Sequence, residues 1–222
     1  MREANSMDER FCWICQKNLE EENDFQQMFF QNRWICHACE KEWIRHQKIY
    51  EIDGIQWHVY YEYNDFLERL LFQYKEQRDI ALAPIFLREC YRFLRKHQGH
   101  LQYCGLCSSD EKTMIRAFQP LETMFRVHDL FLMLPFYKTK AFKQSQQTKE
   151  ARQQIHQTLR HKEVYVPLTK SICLFDDVCT TGATMETACA LLKPKYVFLL
   201  SAHPLWILEH AQNRVEKKAL FW

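Results

Sequence analysis

This sequence lacks several features that mark membrane, exported and strongly charged proteins. No apolar run is long enough to cross a bilayer, and the first residues, MREANSMDERF, contain no apolar signal core. Thirty basic and twenty-eight acidic side chains leave a formal net charge of +2, which is too small to indicate a nucleic-acid partner by itself. The chain contains no internal repeat and no low-complexity tract. We therefore expect a cytoplasmic globular protein without a transmembrane segment.

Glycine is also scarce, with four residues among 222, whereas apolar residues and cysteine are plentiful. A hydrophobic fraction of 47%, with 14% aromatic residues, is enough to build a core. The length suits one medium-sized domain with a small appendage. Ten cysteines in a cytoplasmic protein indicate metal ligands and core residues rather than disulfides.

The order of the predicted elements favours an α/β fold. After residue 100, strand-like apolar runs alternate with helical segments, which is typical of a parallel sheet flanked by helices. Asp53-Gly54 predicts a hairpin turn. Asp65 is expected to cap a helix. That helix would place four side chains on one buried face: Leu67, Leu70, Leu71 and Tyr74.

Three further helices are expected from local signals. One begins at Asp79 and contains Pro84, which would kink it. Another is entered through Pro120, and a third closes the chain in the segment PLWILEHAQNRVEKK. The segment KSICLF is predicted to be a strand, and GATMETACALLK a helix.

Two C-x-x-C pairs near the N-terminus predict a metal site, with these residues as ligands: Cys12, Cys15, Cys36 and Cys39. The two-residue spacer lets both sulfurs of a pair converge on one ion, and four thiolates form the closed tetrahedral shell that structural Zn²⁺ favours. The alternatives are buried reduced cysteines or a redox pair. We predict a zinc-ribbon-like module over residues 1–47, followed by the α/β domain over residues 48–222. Because metal ligation supplies a small module's stability, we expect loss of one ligand to unfold that module alone.

The function of this module is left open by its composition. Trp34, Trp43 and the neighbouring Arg and Lys side chains either contact a nucleic acid or cover a small core, and we favour the second interpretation. A third pair, Cys104 and Cys107, has no partner pair nearby, so buried thiols are expected there.

The stretch CLFDDVCTTGATM, residues 173–185, predicts a ligand site. A strand leads into Asp176 and Asp177, and a short loop then opens a helix. Backbone N–H groups at such a helix start bind an anion, most naturally a phosphate. Gly182 allows a tight turn and a close approach of the ligand. The two carboxylates would accept hydrogen bonds from the hydroxyls of an adjoining sugar, so the segment predicts a pocket for a ribose 5-phosphate.

At these residues the sequence resembles the loop of type I phosphoribosyltransferases that binds phosphoribosyl pyrophosphate (PRPP). The resemblance implies ligand contacts from one continuous set: Asp176, Asp177, Thr180, Thr181, Gly182, Ala183 and Thr184. Nearly the whole chain resembles the ComF family of competence proteins, which join a four-cysteine zinc module to a phosphoribosyltransferase-like domain. The resemblance therefore implies a type I phosphoribosyltransferase-like sheet.

Other segments that resemble the family imply contacts to pyrophosphate or DNA. They are LLFQYKEQRDIALA, SSDEKTMIRAFQP and KQSQQTKEAR, and the implied residues are Lys75, Ser109, Arg116, Gln144 and Arg152. The chain departs from the family where Gly105-Leu106-Cys107 replaces a P-x-P strand end. Ala117, Gln119 and Pro120 likewise replace a usual glycine, asparagine and glutamine. These departures favour ligand binding over turnover.

The resemblance implies a factor for DNA uptake in natural transformation that binds PRPP and acts beside single-stranded DNA. It would lie in the cytoplasm, peripheral to the DNA-uptake machinery. The basic segment 138–162 would either contact the DNA backbone or close over the pocket. One alternative is an active phosphoribosyltransferase in which Mg²⁺ binds the pyrophosphate of PRPP. Another is a ligand-sensing adaptor for the competence helicase.

Overall fold

The computed structural model describes the protein in five ranges: residues 10–21, 34–106, 110–138, 159–161 and 170–216. Within them a six-stranded sheet is formed by β1 (Arg45–Ile52), β2 (Ile55–Glu62), β3 (Leu101–Gly105), β6 (Ser171–Cys179), β7 (Tyr196–Ala202) and β8 (Arg214–Val215). Two short strands, β4 (Phe136–Lys138) and β5 (Leu159–His161), pair with each other separately.

The central sheet is largely parallel, as the alternation of strands and helices predicts. Its strand order is β3-β6-β7-β2-β1-β8. The first four strands in this order run parallel to one another, β1 pairs antiparallel with β2, and β8 pairs antiparallel with β1. Helices flank the sheet, so the predicted α/β fold class is confirmed.

Eight α-helices lie in the described ranges. They are α1 (His37–Lys41), α2 (Asp65–Lys75), α3 (Ala83–Leu87), α4 (Tyr91–His97), α5 (Asp110–Arg116), α6 (Pro120–Arg126), α7 (Ala183–Leu192) and α8 (Pro204–Glu209). Short 3₁₀ turns occupy Leu19–Glu21, Ile80–Leu82 and Ala211–Asn213. Across the described ranges, no helix combines the length and the apolar character required to cross a bilayer.

The hairpin between β1 and β2 is confirmed. Asp53 and Gly54 have φ values of 50° and 74°, the left-handed pair that a two-residue type I′ turn requires. Ile52 faces Ile55 directly across this turn. The turn therefore fixes the register of both strands.

The start of α2 differs by one residue from the prediction. Asn64, not Asp65, caps the helix, and its side-chain oxygen accepts the backbone N–H of Leu67 at 2.9 Å. The buried face is confirmed, because Leu67, Leu70, Leu71 and Tyr74 are all buried.

The prediction of one long helix from Asp79 is wrong. The segment is divided into the 3₁₀ turn at Ile80–Leu82 and the separate helices α3 and α4. Pro84 lies in the first turn of α3, where a missing N–H costs little, so it starts a helix instead of kinking one. The closing helix is also shorter than expected, because α8 ends at Glu209 and the chain then forms β8.

The cysteine-rich segment shares its core with one face of the sheet. Cys12, Ile35 and Trp43 belong to the same buried cluster as Phe86 of α3 and Phe198 of β7. A second buried cluster covers the other face and includes Trp57, Leu174 and Trp206. The division between residues 1–47 and 48–222 stays a prediction, and β1 runs across that boundary.

Candidate functional site

The carboxyl ends of four parallel strands meet at one edge of the sheet, where α/β folds bind ligands. There β2, β6 and β7 are followed by Tyr63, Thr180 and His203. The His203 N–H donates to the Cys179 carbonyl at 2.9 Å, and the Tyr63 N–H donates to the Ala202 carbonyl at 2.8 Å. These bonds hold the chain segments beyond neighbouring strands together.

The acidic pair lies within a strand and not in a loop after it. Strand β6 continues past Phe175 to Cys179, alongside β7. The Ser201 hydroxyl of β7 donates to the Asp177 carbonyl oxygen at 2.7 Å. The backbone carrying Asp176 and Asp177 is therefore held by the sheet.

The loop after β6 has the form expected for a helix start that faces a ligand. Thr180 and Thr181 are exposed, and Gly182 caps α7 with a left-handed φ of 81°. The Glu186 N–H donates to the Gly182 carbonyl at 2.8 Å and begins the helix. The start of α7, with the positive end of its dipole, therefore follows the acidic pair after a short loop at this edge of the sheet.

Gly182 is required by the protein's own packing as well as by its backbone conformation. A Cβ added there would lie 2.8 Å from Nε1 of Trp206 and 3.1 Å from a carboxylate oxygen of Glu186. Trp206 is buried in α8, and its indole N–H has no hydrogen-bond partner among the described residues. The sequence shows the glycine but not this contact, because Trp206 comes from the segment after the next strand.

Lys75 and Asp177, which the sequence singles out separately, form an ion pair. Lys75 is the last residue of α2, and Asp177 is only 6% exposed. Burial, together with the charges of Glu68 and Asp177, raises the pKa of the nearby Tyr63 phenol to about 12. The positive charge of Lys75 therefore lies against the carboxylate of Asp177.

Asp176 differs from its neighbour in environment. Its side chain is half-buried, and its Oδ1 accepts the backbone N–H of Asp177 at 3.0 Å. The two carboxylates therefore have different partners, one a backbone amide and the other an ammonium group.

Arg116, for which the resemblance implies a contact to pyrophosphate or DNA, lies in an ion pair within the protein. Its side chain is 6% exposed and pairs with Glu76, the residue that follows α2. The hydrogen bond from Arg116 lowers the pKa of the Glu76 carboxyl. Gln119, which follows, donates to the Thr113 hydroxyl at 2.9 Å.

The other predicted contacts lie outside the described residues. These are Ser109, Gln144 and Arg152, together with most of the basic segment 138–162.

The four predicted metal ligands lie together. The sulfur atoms of Cys12, Cys15, Cys36 and Cys39 all lie within 4.8 Å of one another, and those of Cys15 and Cys36 are 3.5 Å apart. A tetrahedral zinc–thiolate site has sulfurs about 3.8 Å apart, so these residues fit such an ion. The cluster can therefore bind a metal such as zinc.

Hydrogen bonding between Cys12 and Cys39 shifts the pKa of both thiols. The thiol of Cys39 donates to Cys12, which lowers the pKa of Cys12 and raises that of Cys39. Thiolates are the form that metal binding requires.

Tryptophans around the cluster serve in packing, as the favoured interpretation holds. Trp43 is 4% exposed, and the Arg88 guanidinium lies 4.3 Å from the centre of its ring. Trp34 stacks on Trp13 and on His128, with ring centres 5.4 Å and 6.2 Å apart. The sequence did not single out His128, which lies just after α6. Its ring joins the stacked tryptophans of the cysteine-rich segment to that part of the chain.

The third cysteine pair is described only in part. Cys104 is buried, and burial raises the pKa of its thiol to about 12, whereas Cys107 lies outside the described residues.

Comparison with known proteins adds little to this geometry. No protein-family model matches the chain, and no curated protein matches it. Among solved structures, the chain is similar to a hypoxanthine phosphoribosyltransferase from Staphylococcus aureus, with 15% identity, a TM-score of 0.34, and coverage of 64% of this chain and 70% of that one. A similarity this low carries no argument about ligand or activity. What is established is a largely parallel α/β sheet flanked by helices, with a four-cysteine cluster near the N-terminus.

Proposed function

We propose that the protein binds a ribose 5-phosphate ligand, PRPP or a related compound, at residues 176–184. The observation that carries this proposal is the position of the acidic pair beside the start of α7, at the carboxyl edge of a parallel sheet. The start of α7 suits an anion, and the acidic pair suits the two hydroxyls of a sugar. A ribose 5-phosphate is a compact ligand that presents both groups.

In this proposal the two halves of the site have separate tasks. The N–H groups at the start of α7, with the hydroxyls of Thr180, Thr181 and Thr184, bind the phosphate. The Asp176 carboxylate accepts hydrogen bonds from ribose hydroxyls. Because Lys75 neutralises Asp177, the acidic pair repels the phosphate less than two unpaired carboxylates would.

The pairing of Arg116 supports binding over turnover. A phosphoribosyltransferase stabilises the departing pyrophosphate with positive charge, often with Mg²⁺. Arg116, the residue expected on that side of the pocket, is buried against Glu76. An active phosphoribosyltransferase therefore remains the alternative and not the main proposal.

For the biological role, we propose a competence factor in DNA uptake. The resemblance to the ComF family supports this role, and the four-cysteine cluster next to an α/β sheet agrees with that family's organisation. Single-stranded DNA and the competence helicase are the proposed macromolecular partners. In one version of this role, the protein senses a ligand and acts as an adaptor for the helicase without catalysing a reaction.

Calorimetric titration with PRPP and Mg²⁺ tests the ligand. Asp176→Asn removes the charge but keeps an oxygen for the Asp177 N–H, so the fold is expected to persist while PRPP affinity falls about tenfold. Asp53→Asn is the matched control, because it makes the same change in an exposed turn at the opposite edge of the sheet and keeps a good hairpin sequence. Parent protein that does not bind PRPP would contradict the proposal.

A second assay separates the functions. Release of pyrophosphate in the presence of a base would favour the transferase. Salt-sensitive binding of single-stranded DNA without such release would favour the DNA-uptake factor. A stable complex with the helicase and neither of these would favour the adaptor.

A further inference from the structure

The ion pair between Lys75 and Asp177 includes one of the two carboxylates of the proposed ligand site. Side-chain exposures of 21% for Lys75 and 9% for Asp177 distinguish this pair from an ordinary surface contact. Because solvent screens this pair little, breaking it is costly: each partner would leave the other as a poorly solvated charge.

Lys75 is held in place by the residues on either side of it. The Tyr74 hydroxyl donates to the Pro120 carbonyl at 2.8 Å, and Glu76 pairs with Arg116. The ammonium group also extends from the last turn of α2, where the helix dipole favours a cation. The end of α2 is therefore fixed on both sides, and the charge of Lys75 is fixed with it.

The resemblance to type I phosphoribosyltransferases implies Mg²⁺ together with PRPP, and the acidic pair is where such an ion would have to fit. Mg²⁺ requires six oxygen ligands in near-octahedral geometry and loses its water reluctantly. Here an oxygen of Asp177 already pairs with an ammonium, and Oδ1 of Asp176 accepts a backbone N–H. A divalent ion on Asp177 would lie against the positive charge of Lys75. These residues do not fit Mg²⁺ while Lys75 is in place.

We propose that Lys75 supplies the positive charge at this site and that a ribose 5-phosphate ligand binds here without a divalent cation. This inference rests on the proposed function. An ammonium has three N–H donors, so one that pairs with Asp177 can also donate to a sugar hydroxyl or a phosphate oxygen. Lys75 is thus a binding residue that supplies the positive charge in place of a divalent cation.

The test uses ribose 5-phosphate as the probe, because it lacks the pyrophosphate that binds Mg²⁺ in solution. Zinc-loaded protein is titrated by calorimetry in resin-treated buffer, with and without millimolar Mg²⁺. Chelators are avoided because they would remove a metal held by the cysteine cluster. Parent protein is expected to bind with the same affinity, within about twofold, in both buffers.

Variants of Lys75 identify the source of the charge. Lys75→Met is expected to bind about tenfold or more weakly without Mg²⁺ and to regain part of the loss when Mg²⁺ is added. Lys75→Arg keeps the charge and should remain independent of Mg²⁺. Lys96→Met is the matched control, an exposed lysine in the last turn of α4, and should bind like the parent.

Each outcome is decisive. If the parent binds only with Mg²⁺, the inference about Lys75 is wrong while the ribose 5-phosphate site stands. If the parent binds in neither buffer, both proposals fail. If Lys75→Met binds like the parent without Mg²⁺, Lys75 does not supply the charge. If Lys75→Met does not fold, as judged by circular dichroism, Lys75→Gln takes its place as the neutral variant.

Discussion

At the scale of single residues, Gly182 in the proposed site and Ala117 directly after α5 both have a left-handed backbone. Gly182 has a φ of 81° and touches Trp206, so any side chain there would disturb the protein before it met a ligand. Ala117 has a φ of 62°, at a position where the resembling ComF segment usually has glycine. Ala117 therefore has the backbone conformation that glycine favours. Because alanine has a Cβ, that conformation is strained.

Ala117→Gly is predicted to raise the free energy of unfolding by about 1 kcal/mol, because it relieves that strain at some cost in unfolded-chain entropy. Ala117 is exposed, so no packing is lost. Urea unfolding followed by circular dichroism measures the change. Ala81→Gly is the control, since Ala81 is an exposed alanine in a 3₁₀ turn and does not have a positive φ. It should destabilise slightly, and equal effects at both positions would contradict the argument.

At the scale of elements, the end of α2 organises the site. Three consecutive residues there contact different segments: Tyr74 reaches Pro120, Lys75 reaches Asp177, and Glu76 reaches Arg116. Strand β6 and the segment after β3 are therefore tied to the same helix terminus. We therefore expect Arg116 to position these segments and not to contact the ligand directly.

Arg116→Lys tests that assignment. A lysine cannot reproduce the forked hydrogen bonds of a guanidinium, so the free energy of unfolding should fall by about 1–2 kcal/mol. The affinity for ribose 5-phosphate should stay within about twofold of the parent value, since the charge beside the acidic pair comes from Lys75. Unchanged stability with a large loss of affinity would instead place Arg116 on the ligand.

What the sequence predicted at this scale follows from local patterns. The Asp53-Gly54 hairpin and the buried face of α2 are encoded by neighbouring residues, so they could be foreseen. The strand, turn and helix around Gly182 were also recognisable from one short segment. The pairing of Lys75 with Asp177 and the contact of Gly182 with Trp206 depend on how distant segments pack, and no local pattern contains that information. The division of the segment after Asp79 was missed because Pro84 was assigned to a helix interior.

At the scale of the whole molecule, the cysteine cluster is part of the main core. Cys12 and Trp43 share a buried cluster with Tyr61, Phe86 and other residues of the α/β sheet and its helices. Trp43 contacts Tyr61 with ring centres 4.8 Å apart. Arg45 pairs with Glu89, which ties β1 to the segment before α4. The expectation that loss of one ligand unfolds only the N-terminal module therefore needs revision.

Purified protein is predicted to carry one zinc ion per chain. Cys36→Ser should abolish zinc binding and lower the denaturation midpoint of the entire molecule, because the N-terminal segment and the sheet share buried surface. Metal analysis and circular dichroism of urea unfolding measure both effects. Cys189→Ser, a buried cysteine of α7 outside the cluster, is the control and should retain zinc. A midpoint unaffected by Cys36→Ser would show that the two parts unfold independently.

The most direct test of the central claim compares ribose 5-phosphate with its two halves, inorganic phosphate and ribose, by calorimetric titration of the parent protein. If the start of α7 binds the phosphate and Asp176 binds the sugar, ribose 5-phosphate should bind at least about tenfold more tightly than either half, and Asp176→Asn should remove most of that advantage. Equal affinity for phosphate and ribose 5-phosphate, or binding of neither, would contradict a site that recognises both groups together.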